Sequence, residues 1–213
     1  MFVIPCRFDP ARPVVFDCVA SIKAHHPDAT VVVVDSASDD TGYLDELDCI
    51  TIDAENRNYG PGALRVVMDE FPRETFFYLT FDSLLVHDNL DDLKRRPLSV
   101  VRWFDSATTG WGWDGDGRPL EGFASDNGVW IPSRFFGVMG PMVFATRGVI
   151  ESCGLLRIMP SSAYEQCALE RIWGIWLQES GHDVSKLSLQ GEMRGFFDEY
   201  PSDRVEKIAM ARA

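Results

Sequence analysis

Two short stretches of the sequence carry side chains that suit nucleotide binding. The first, residues 30–40, is a threonine and four valines followed by Asp35 and Ser36. The second, residues 56–65, contains two glycines and ends in Arg65. In an open α/β sheet, ligands bind at the carboxyl ends of the strands, where a carboxylate can accept hydrogen bonds from a ribose or a base. A glycine-rich turn that opens a helix offers free N–H groups to an anion, so the two stretches together indicate a nucleotide site.

Each stretch also has a simpler interpretation. Serine and aspartate commonly cap helices, which would account for Ser38 and Asp39 without any ligand. Asp35 directly follows the valines and is expected at the edge of the sheet instead. Gly60 and Gly62 allow a backbone path that a Cβ atom would block, and Arg65 could then reach a diphosphate or stack on a base. The alternative is an ordinary turn followed by an exposed arginine.

The elements that must position these side chains follow from the hydrophobic pattern. Apolar, β-branched runs predict strands, and apolar residues at helical spacing predict helices between them. The alternation β-α-β-α-β implies an α/β fold with a mostly parallel sheet, right-handed crossovers and flanking helices. In the first half the predicted strands span residues 2–6, 30–34, 49–52 and 76–81, and the predicted helices span residues 14–24 and 61–71.

The second half of the chain has a less regular pattern. A long helix is predicted from about residue 162 to residue 179, ended by Gly181. Before it we expect a strand, then a hairpin or loop, then short strands around two glycines, at residues 99–104, 111–122 and 129–144.

Composition bounds the class of protein. The 213 residues are 46% hydrophobic, enough for one well-buried α/β domain. We expect one domain over 1–213, with a nucleotide-binding half at 1–97 and a mixed, acceptor-side half at 98–213. The net charge of −13 disfavours a broad nucleic-acid-binding surface. The five scattered cysteines and the lack of a leader or membrane-length apolar run lead us to expect a cytoplasmic protein with reduced thiols.

Two carboxylates on the long second-half helix are candidates for acid–base chemistry. Glu165 projects into an apolar stripe of this helix, and Glu170 lies at the edge of the stripe. Burying a carboxylate against aromatic surface is unfavourable, which indicates that a function keeps it there. An ion pair with Arg157 or Arg171 is the structural alternative. The stripe comprises Leu169, Ile172, Trp173 and Trp176.

Four segments together resemble the GT-A fold glycosyltransferases of the family-two type. The segments are Ile4-Pro5, Val34-Asp35-Ser36-x-Ser38-x-Asp40, Asn58-x-Gly60-x-x-x-x-Arg65 and Phe81-Asp82. The resemblance implies a GT-A-like, Rossmann-like fold in which a nucleotide-sugar lies over the first strands. It also implies transfer of a sugar from a nucleotide-diphosphate sugar, such as a UDP-sugar, to an acceptor hydroxyl with inversion.

The resemblance implies roles for individual residues. Asp35 would hold the base, Arg65 the nucleotide or diphosphate, and Asp82 the ribose or a divalent metal ion. The family's general base on the acceptor hydroxyl corresponds to Glu170, with Glu165 as the rival. The other donor-binding positions that the resemblance implies are Pro5, Arg7, Ser36, Asn58 and Gly60.

The family's metal-binding Asp-x-Asp element is incomplete in this sequence. It reads Asp82-Ser83-Leu84, so a manganese or magnesium ion would have one carboxylate and would depend on phosphate oxygens and water. His87 or Asp88 is an alternative ligand, and an enzyme that needs no metal is a third interpretation.

Three further features complete the expectations for the second half. The Asp114-Gly115-Asp116-Gly117 segment follows no apolar strand and is predicted to form a turn. The loop at residues 136–142 resembles the family's glycine-containing loop beside the donor sugar. Aromatic faces suit sugar rings but are also common in cores, and this alternative stays open for Trp103, Trp111 and Trp113.

Other function classes are compatible with parts of the pattern. A nucleotidyltransferase would carry a glycine-rich loop after the first strand, where this chain has residues 6–10 without glycine. A non-catalytic sugar- or nucleotide-binding module would explain the missing acid at Leu84. No GxGxxG motif follows the first strand, which disfavours an oxidoreductase. The acceptor stays open among a saccharide, a lipid-linked sugar and a hydroxylated nucleobase in DNA.

Overall fold

A six-stranded, mostly parallel β-sheet forms the centre of the computed structural model, which describes residues 1–110, 112, 119–140, 142–192 and 203–207. The strands, in chain order, are β1 (Phe2–Cys6), β2 (Val31–Asp35), β3 (Ile50–Ile52), β4 (Phe76–Leu79), β5 (Leu84–Val86), β6 (Leu98–Val100), β7 (Trp103–Asp105), β8 (Phe136–Val138), β9 (Val143–Thr146) and β10 (Val205–Lys207). The central sheet has the order β3-β2-β1-β4-β9-β6, while β5 pairs with β10 and β7 pairs with β8. Strands β1 to β4 are parallel, and β9 is antiparallel to both of its neighbours.

The helices connect the strands and cover both faces of this sheet. They are α1 (Val14–His25), α2 (Tyr59–Glu70), α3 (Ser106–Thr109), α4 (Leu120–Asp126), α5 (Arg147–Ser152) and α6 (Ala163–Glu179). Short 3-10 turns occur at Gly42–Glu46, Asp91–Arg95 and Val184–Lys186. Within the described ranges, no helix combines the length and the apolar character needed to cross a membrane.

The valine run of β2 is apolar on both faces because the sheet is covered on both sides. Val32 and Val34 pack in one core cluster with residues of α2 and α6. Val31 and Val33 belong to the opposite cluster, which includes residues of α1. A strand buried on both faces reads as a continuous apolar run rather than an alternating one, which accounts for the sequence pattern and places the end of β2 inside the molecule.

The structure confirms the four strands and two helices predicted for the first half, with ends that agree to within two residues. It also confirms the long helix, α6, whose N-cap Ser162 accepts a hydrogen bond from the backbone N–H of Glu165. The fold is therefore mixed α/β around a mostly parallel sheet.

Two predictions for the second half were wrong. The single strand predicted over 99–104 is divided between β6 in the central sheet and β7 in the β7–β8 pair. The chain changes partner between them, because the Val101 N–H donates to the Met142 carbonyl while the Arg102 carbonyl accepts from Met139. The loop or hairpin predicted over 111–122 is wrong at its end, because α4 begins at Leu120. Residues 111 and 113–118 lie outside the described ranges.

Candidate functional site

The carboxyl edge of the four parallel strands holds most of the polar side chains singled out in the sequence. The strand order changes direction between β1 and β4, and open α/β sheets bind ligands at such a point. The last β1–β4 pair is Val3 with Leu79. Pro5 lies beyond this pair, so its missing N–H breaks no hydrogen bond between the two strands.

Asp35 ends β2 opposite Cys6 of β1 and is almost fully buried, with 1% exposure. Both of its carboxylate oxygens have protein partners. The Tyr43 hydroxyl donates to Oδ1 at 3.1 Å, and the Ser38 backbone N–H donates to Oδ2 at 3.0 Å. Asp35 therefore organises the turn after β2, and a base could reach it only by sharing or replacing one of these contacts.

Cys6 links Asp35 to Asp82 across the strand ends. Its thiol lies near Tyr43 and Asp82, both of which act on its pKa. Burial raises the pKa of the Cys6 thiol, and the charge of Asp82 raises it further, so the thiol keeps its proton. Asp35, Tyr43, Cys6 and Asp82 thus lie close together at the carboxyl ends of β2, β1 and β4. The sequence analysis did not identify Cys6 or Tyr43, although the strand-end rule that selected Asp35 applies equally to Cys6.

Asp82 is half-buried two residues beyond Thr80, where the chain has left β4. Burial raises the pKa of the Asp82 carboxyl, whereas the charge of Lys207 and hydrogen bonds from Cys6 and Ser83 lower it. The carboxylate therefore lies in a partly desolvated position where charge interactions are stronger than in water.

The glycine-rich turn before α2 is built around the buried side chain of Asn56. Its amide nitrogen donates to the Tyr59 carbonyl at 2.8 Å and to the Ser36 hydroxyl at 3.3 Å. A Cβ atom on Gly62 would overlap the Asn56 side chain, whereas one on Gly60 would meet Leu79 at an ordinary 3.8 Å. The close approach in this turn therefore requires glycine at position 62, while position 60 has room for a side chain.

Backbone strain is concentrated in the loops after β2 and β3. Among the described residues, the non-glycine residues with positive φ are Ala37 (57°), Glu55 (43°) and Tyr59 (53°). Such conformations cost about 1–3 kcal/mol each and cluster at ligand sites, where the surrounding structure holds them. Their location at the carboxyl edge of the sheet supports a binding role for these loops.

Three of the implied donor-binding residues lie at the edge of this region. Arg7 is exposed directly after β1. The Asn58 amide donates to the Pro160 carbonyl at 2.8 Å, and the exposed Arg65 guanidinium donates to the Leu156 carbonyl at 3.0 Å. Asn58 and Arg65 thus hold α2 and the turn before it against the segment that leads into α6.

Glu170 lies on α6 with 19% of its side chain exposed and contacts the loop between β8 and β9. Oε1 accepts the Gly140 backbone N–H at 2.8 Å, and Oε2 is 2.6 Å from Nη1 of the buried Arg171. Burial raises the pKa of the Glu170 carboxyl, against the opposing effects of Arg171, the Gly140 N–H and Lys207. A carboxylate with a raised pKa that is still partly exposed has the properties of a general base.

Glu165 has a different environment at the first turn of the same helix. Its Oε2 accepts from the Ser161 backbone N–H at 2.6 Å and from the Ser161 hydroxyl at 2.9 Å. Together with the N-cap Ser162, this arrangement satisfies the N–H groups at the start of α6. The local geometry therefore gives Glu165 a capping role.

Lys207 lies in the same region as Asp82 and Glu170. Its charge acts on both Asp82 and Glu170. Gly140, which donates to Glu170, also lies against Phe81, because a Cβ atom on it would be 3.0 Å from the Phe81 ring. Sequence reasoning missed Lys207, since nothing local in the tail indicates that it lies beside residues more than 100 positions earlier.

The donor set around Asp82 does not by itself make a divalent-cation site. Among the described residues, no group of three or more His, Cys, Asp or Glu side chains could hold a metal ion. Leu84, at the second acidic position of the element, is fully buried in β5. The two alternative ligands both have partners near β10, because His87 lies 2.8 Å from Glu206 and Asp88 lies 3.4 Å from Arg204.

The aromatic and acidic candidates of the second half are only partly described. Trp103 is half-buried and packs edge-on against Phe136, with ring centroids 4.9 Å apart. This contact favours a packing role for Trp103. Trp111, Trp113 and the segment 114–117 lie outside the described residues.

Comparison with known proteins gives a distant likeness to solved structures. No protein-family model matches the chain, and no curated protein matches its sequence. Among solved structures, the crystal structure of S. aureus TarS 1-349 is similar with a TM-score of 0.42 and 14% sequence identity. The similar region covers 79% of this chain and 54% of that one, so the chain spans about half the length of the TarS structure.

Proposed function

We propose that this protein is a glycosyltransferase that moves a sugar from a nucleotide-diphosphate sugar to an acceptor hydroxyl. The observation that carries the proposal is the proximity of the Asp82 turn and Glu170, because Gly140 lies against Phe81 and donates its N–H to the Glu170 carboxylate. Asp82 follows the strand end where the resembled family binds the donor diphosphate. Glu170 comes from the other half of the chain, with the raised pKa and partial exposure that suit a base. With the positive charge of Lys207 nearby, such a site can hold an anionic leaving group on one side and activate an acceptor on the other.

The proposed reaction is a single displacement at the anomeric carbon. Glu170 removes the acceptor hydroxyl proton as the acceptor oxygen forms its bond to the sugar. The bond between the anomeric carbon and the donor diphosphate breaks at the same time, and the diphosphate leaves with the electron pair. Attack from the face opposite the leaving group inverts the anomeric configuration. The protein contributes positioning and stabilisation of the developing negative charge on the diphosphate.

The donor-side loops supply the nucleotide site in this proposal. The turns after β2 and β3 hold the base and ribose, with Ser36 and the strained residue Ala37 at their centre. Asp35 shapes the turn through its contacts with Tyr43 and Ser38. Arg7 is exposed beside this turn region, where it could meet a phosphate. These roles rest on the resemblance of the four sequence segments to the family and on their placement at one edge of the sheet.

One observation favours a second candidate, a donor-binding module without transfer activity. The Glu170 carboxylate is engaged by Arg171 at 2.6 Å and by the Gly140 N–H at 2.8 Å. A carboxylate held by two donors is a weaker base than one that is free to accept a proton. In this alternative the site binds a nucleotide-sugar and does not cleave it.

Ligand-dependent thermal unfolding tests donor binding, and turnover separates the two candidates. A donor present at about 100 times its dissociation constant adds about 2.7 kcal/mol of apparent stability. We expect one nucleotide-sugar from a panel to raise the unfolding temperature and to be slowly hydrolysed to its nucleoside diphosphate. Binding without hydrolysis or transfer would support the module, and no binding of any nucleotide or nucleotide-sugar would contradict both candidates.

Substitutions on α6 then test the base. Glu170→Gln should abolish hydrolysis and transfer while the donor still binds, because the amide keeps the shape and loses the basicity. Glu179→Gln, at the exposed end of the same helix, is the matched control and should keep full activity. If Glu165→Gln abolishes turnover and Glu170→Gln does not, the base is Glu165.

A further inference from the structure

The side chain of Lys207 is held at the end of β4 by the pairing of β10 with β5. In the antiparallel register Lys207 lies opposite Leu84, and Val205 lies opposite Val86. Val205, Leu84 and Val86 are fully buried. Side chains alternate along a strand, so Lys207 is on the same face as the buried Val205, and the apolar pairing fixes where its ammonium group emerges.

The ammonium group lies among the residues that follow β4. Lys207 Nζ is 3.3 Å from the Ser83 hydroxyl and 4.8 Å from the centroid of the Phe81 ring. The cation–π contact and the hydroxyl hold the long side chain over the Phe81–Ser83 turn. This is the turn that carries Asp82, the one remaining acid of the incomplete Asp-x-Asp element.

The same ammonium group also faces the acceptor side of the site. Phe81, beneath Lys207, contacts the loop at Gly140, and the Gly140 N–H donates to Glu170. The position of Lys207 is therefore bounded by Asp82 and Glu170, the carboxylates assigned above to the donor and the acceptor. During the displacement, negative charge develops on the leaving diphosphate. A positive charge between the diphosphate and the base is placed to stabilise it.

We propose that the ammonium group of Lys207, rather than a divalent cation, neutralises the donor diphosphate at this site. This inference rests on the proposed function. Lysine binds phosphate as a compact point charge, and its partial burial strengthens the attraction. Asp82 acts as a positioning residue that holds the ammonium group, and the buried Leu84 reflects a site with no second acidic ligand. The fixed charge takes the place of the ion that an Asp-x-Asp pair would hold.

Calorimetric titration of nucleoside diphosphates tests the proposal. The diphosphate that matches the donor base, and the corresponding nucleoside, are titrated into the protein with EDTA and then with manganese. We expect the diphosphate to bind wild type in EDTA with an affinity that manganese changes by less than about twofold. Lys207→Met should weaken diphosphate binding at least about tenfold, as expected for a lost charge-assisted contact, and leave nucleoside binding unchanged. Lys207→Arg should restore most of the lost affinity.

Controls separate failure of this proposal from failure of the proposed function. Lys186→Met removes an exposed lysine that pairs with Asp183, and it should bind the diphosphate as wild type does. Thermal unfolding of Lys207→Met without ligand shows whether β10 remains docked. Wild-type binding that requires manganese, or unchanged diphosphate affinity in folded Lys207→Met, overturns the role of Lys207 while the glycosyltransferase proposal stands. Absence of both nucleoside and diphosphate binding under all conditions overturns the two proposals together.

Discussion

Glu170 accepts the backbone N–H of Gly140 at 2.8 Å, and this contact joins α6 to the loop between β8 and β9. The position of the Glu170 carboxylate is therefore set by the backbone of the β8–β9 loop as well as by α6. Gly140 has a φ of 57°, a conformation that glycine adopts without strain. It lies against Phe81, which follows β4. Movement of this loop would change both the environment of the Glu170 carboxylate and its distance from the Phe81–Ser83 turn.

The first prediction concerns the pH dependence of stability. Burial raises the pKa of Glu170, so the folded protein binds more protons than the unfolded chain between the two pKa values. The free energy of unfolding therefore falls as the pH rises from the unfolded value of about 4.3 through the folded pKa. Glu170→Gln removes this contribution. We expect the stability of the variant relative to wild type to increase between pH 4 and pH 8 in urea unfolding series.

Glu179→Gln provides the reference for the loss of one negative charge from α6, because this side chain is exposed. Comparison with Glu179→Gln is needed because the charges of Arg171 and Lys207 lower the pKa of Glu170 and so oppose the effect of burial. If the relative stability of Glu170→Gln instead decreases as the pH rises, the folded protein stabilises the charged carboxylate, and its pKa is not raised.

The second prediction tests the connection between the strand ends. Tyr43→Phe removes the hydroxyl that donates to Asp35 and interacts with Cys6. The buried carboxylate then loses a partner, which costs about 1–3 kcal/mol of unfolding free energy. Chemical denaturation measures this loss. Tyr164→Phe is the matched control, because that hydroxyl donates at 2.8 Å to the Pro119 carbonyl at an exposed position. Equal effects of the two substitutions would show that the buried hydrogen bond adds no more stability than an exposed one.

Local patterns in the sequence were sufficient to predict the strands and helices in the first half of the chain. The valine run of β2 and the helical spacing of α1 and α2 depend on neighbouring residues, and all were predicted. The division of residues 99–104 between two sheets depends on Met139 and Met142, which are distant in sequence. A pattern of apolar residues cannot show which sheet a strand joins.

The site shows the same difference between local and distant information. Asp35 was selected because it follows a strand and Asp82 because its segment resembles the family's Asp-x-Asp element, and both are local properties of the sequence. The role of Lys207 depends on the pairing of β10 with β5, more than 100 residues away in the chain. Glu165 and Glu170 are on the same helix, and the sequence kept both as candidate bases, with Glu170 preferred through the family resemblance. Only the three-dimensional contacts show that Ser161 binds one and Gly140 the other.

The third prediction concerns the packing that positions α6. A Cβ atom on Gly174 would overlap the Phe136 carbonyl oxygen in β8. Gly174→Ala must therefore push α6 away from β8, and we expect a loss of about 1–3 kcal/mol or more in urea unfolding. Gly148→Ala in α5 is the control, since a Cβ atom there meets nothing within 4 Å. Alanine favours helix over glycine by about 1 kcal/mol, so the control should be as stable as wild type or more stable. Similar stabilities for the two variants would mean that α6 and β8 have room to separate.

The fourth prediction concerns Gln166, one helical turn before Glu170 on α6. Its side chain is buried, with 9% exposure, and neither amide atom has a hydrogen-bond partner among the described residues. A buried amide without partners costs about 1–3 kcal/mol. We therefore expect Gln166→Met, which keeps the length and removes the polar atoms, to raise the free energy of unfolding by about 1 kcal/mol or more.

A second glutamine on the same helix makes this prediction specific. Gln178 donates to the Phe136 carbonyl at 3.0 Å and accepts from the Phe136 N–H at 3.3 Å. Gln178→Met should lower the free energy of unfolding by about 1–3 kcal/mol, because the substitution leaves backbone groups of β8 unpaired. A loss of stability in Gln166→Met as large as that in Gln178→Met would show that Gln166 is hydrogen-bonded in solution. Opposite signs for the two variants would identify Gln166 as a polar group that the folded protein keeps unpaired, one helical turn before Glu170.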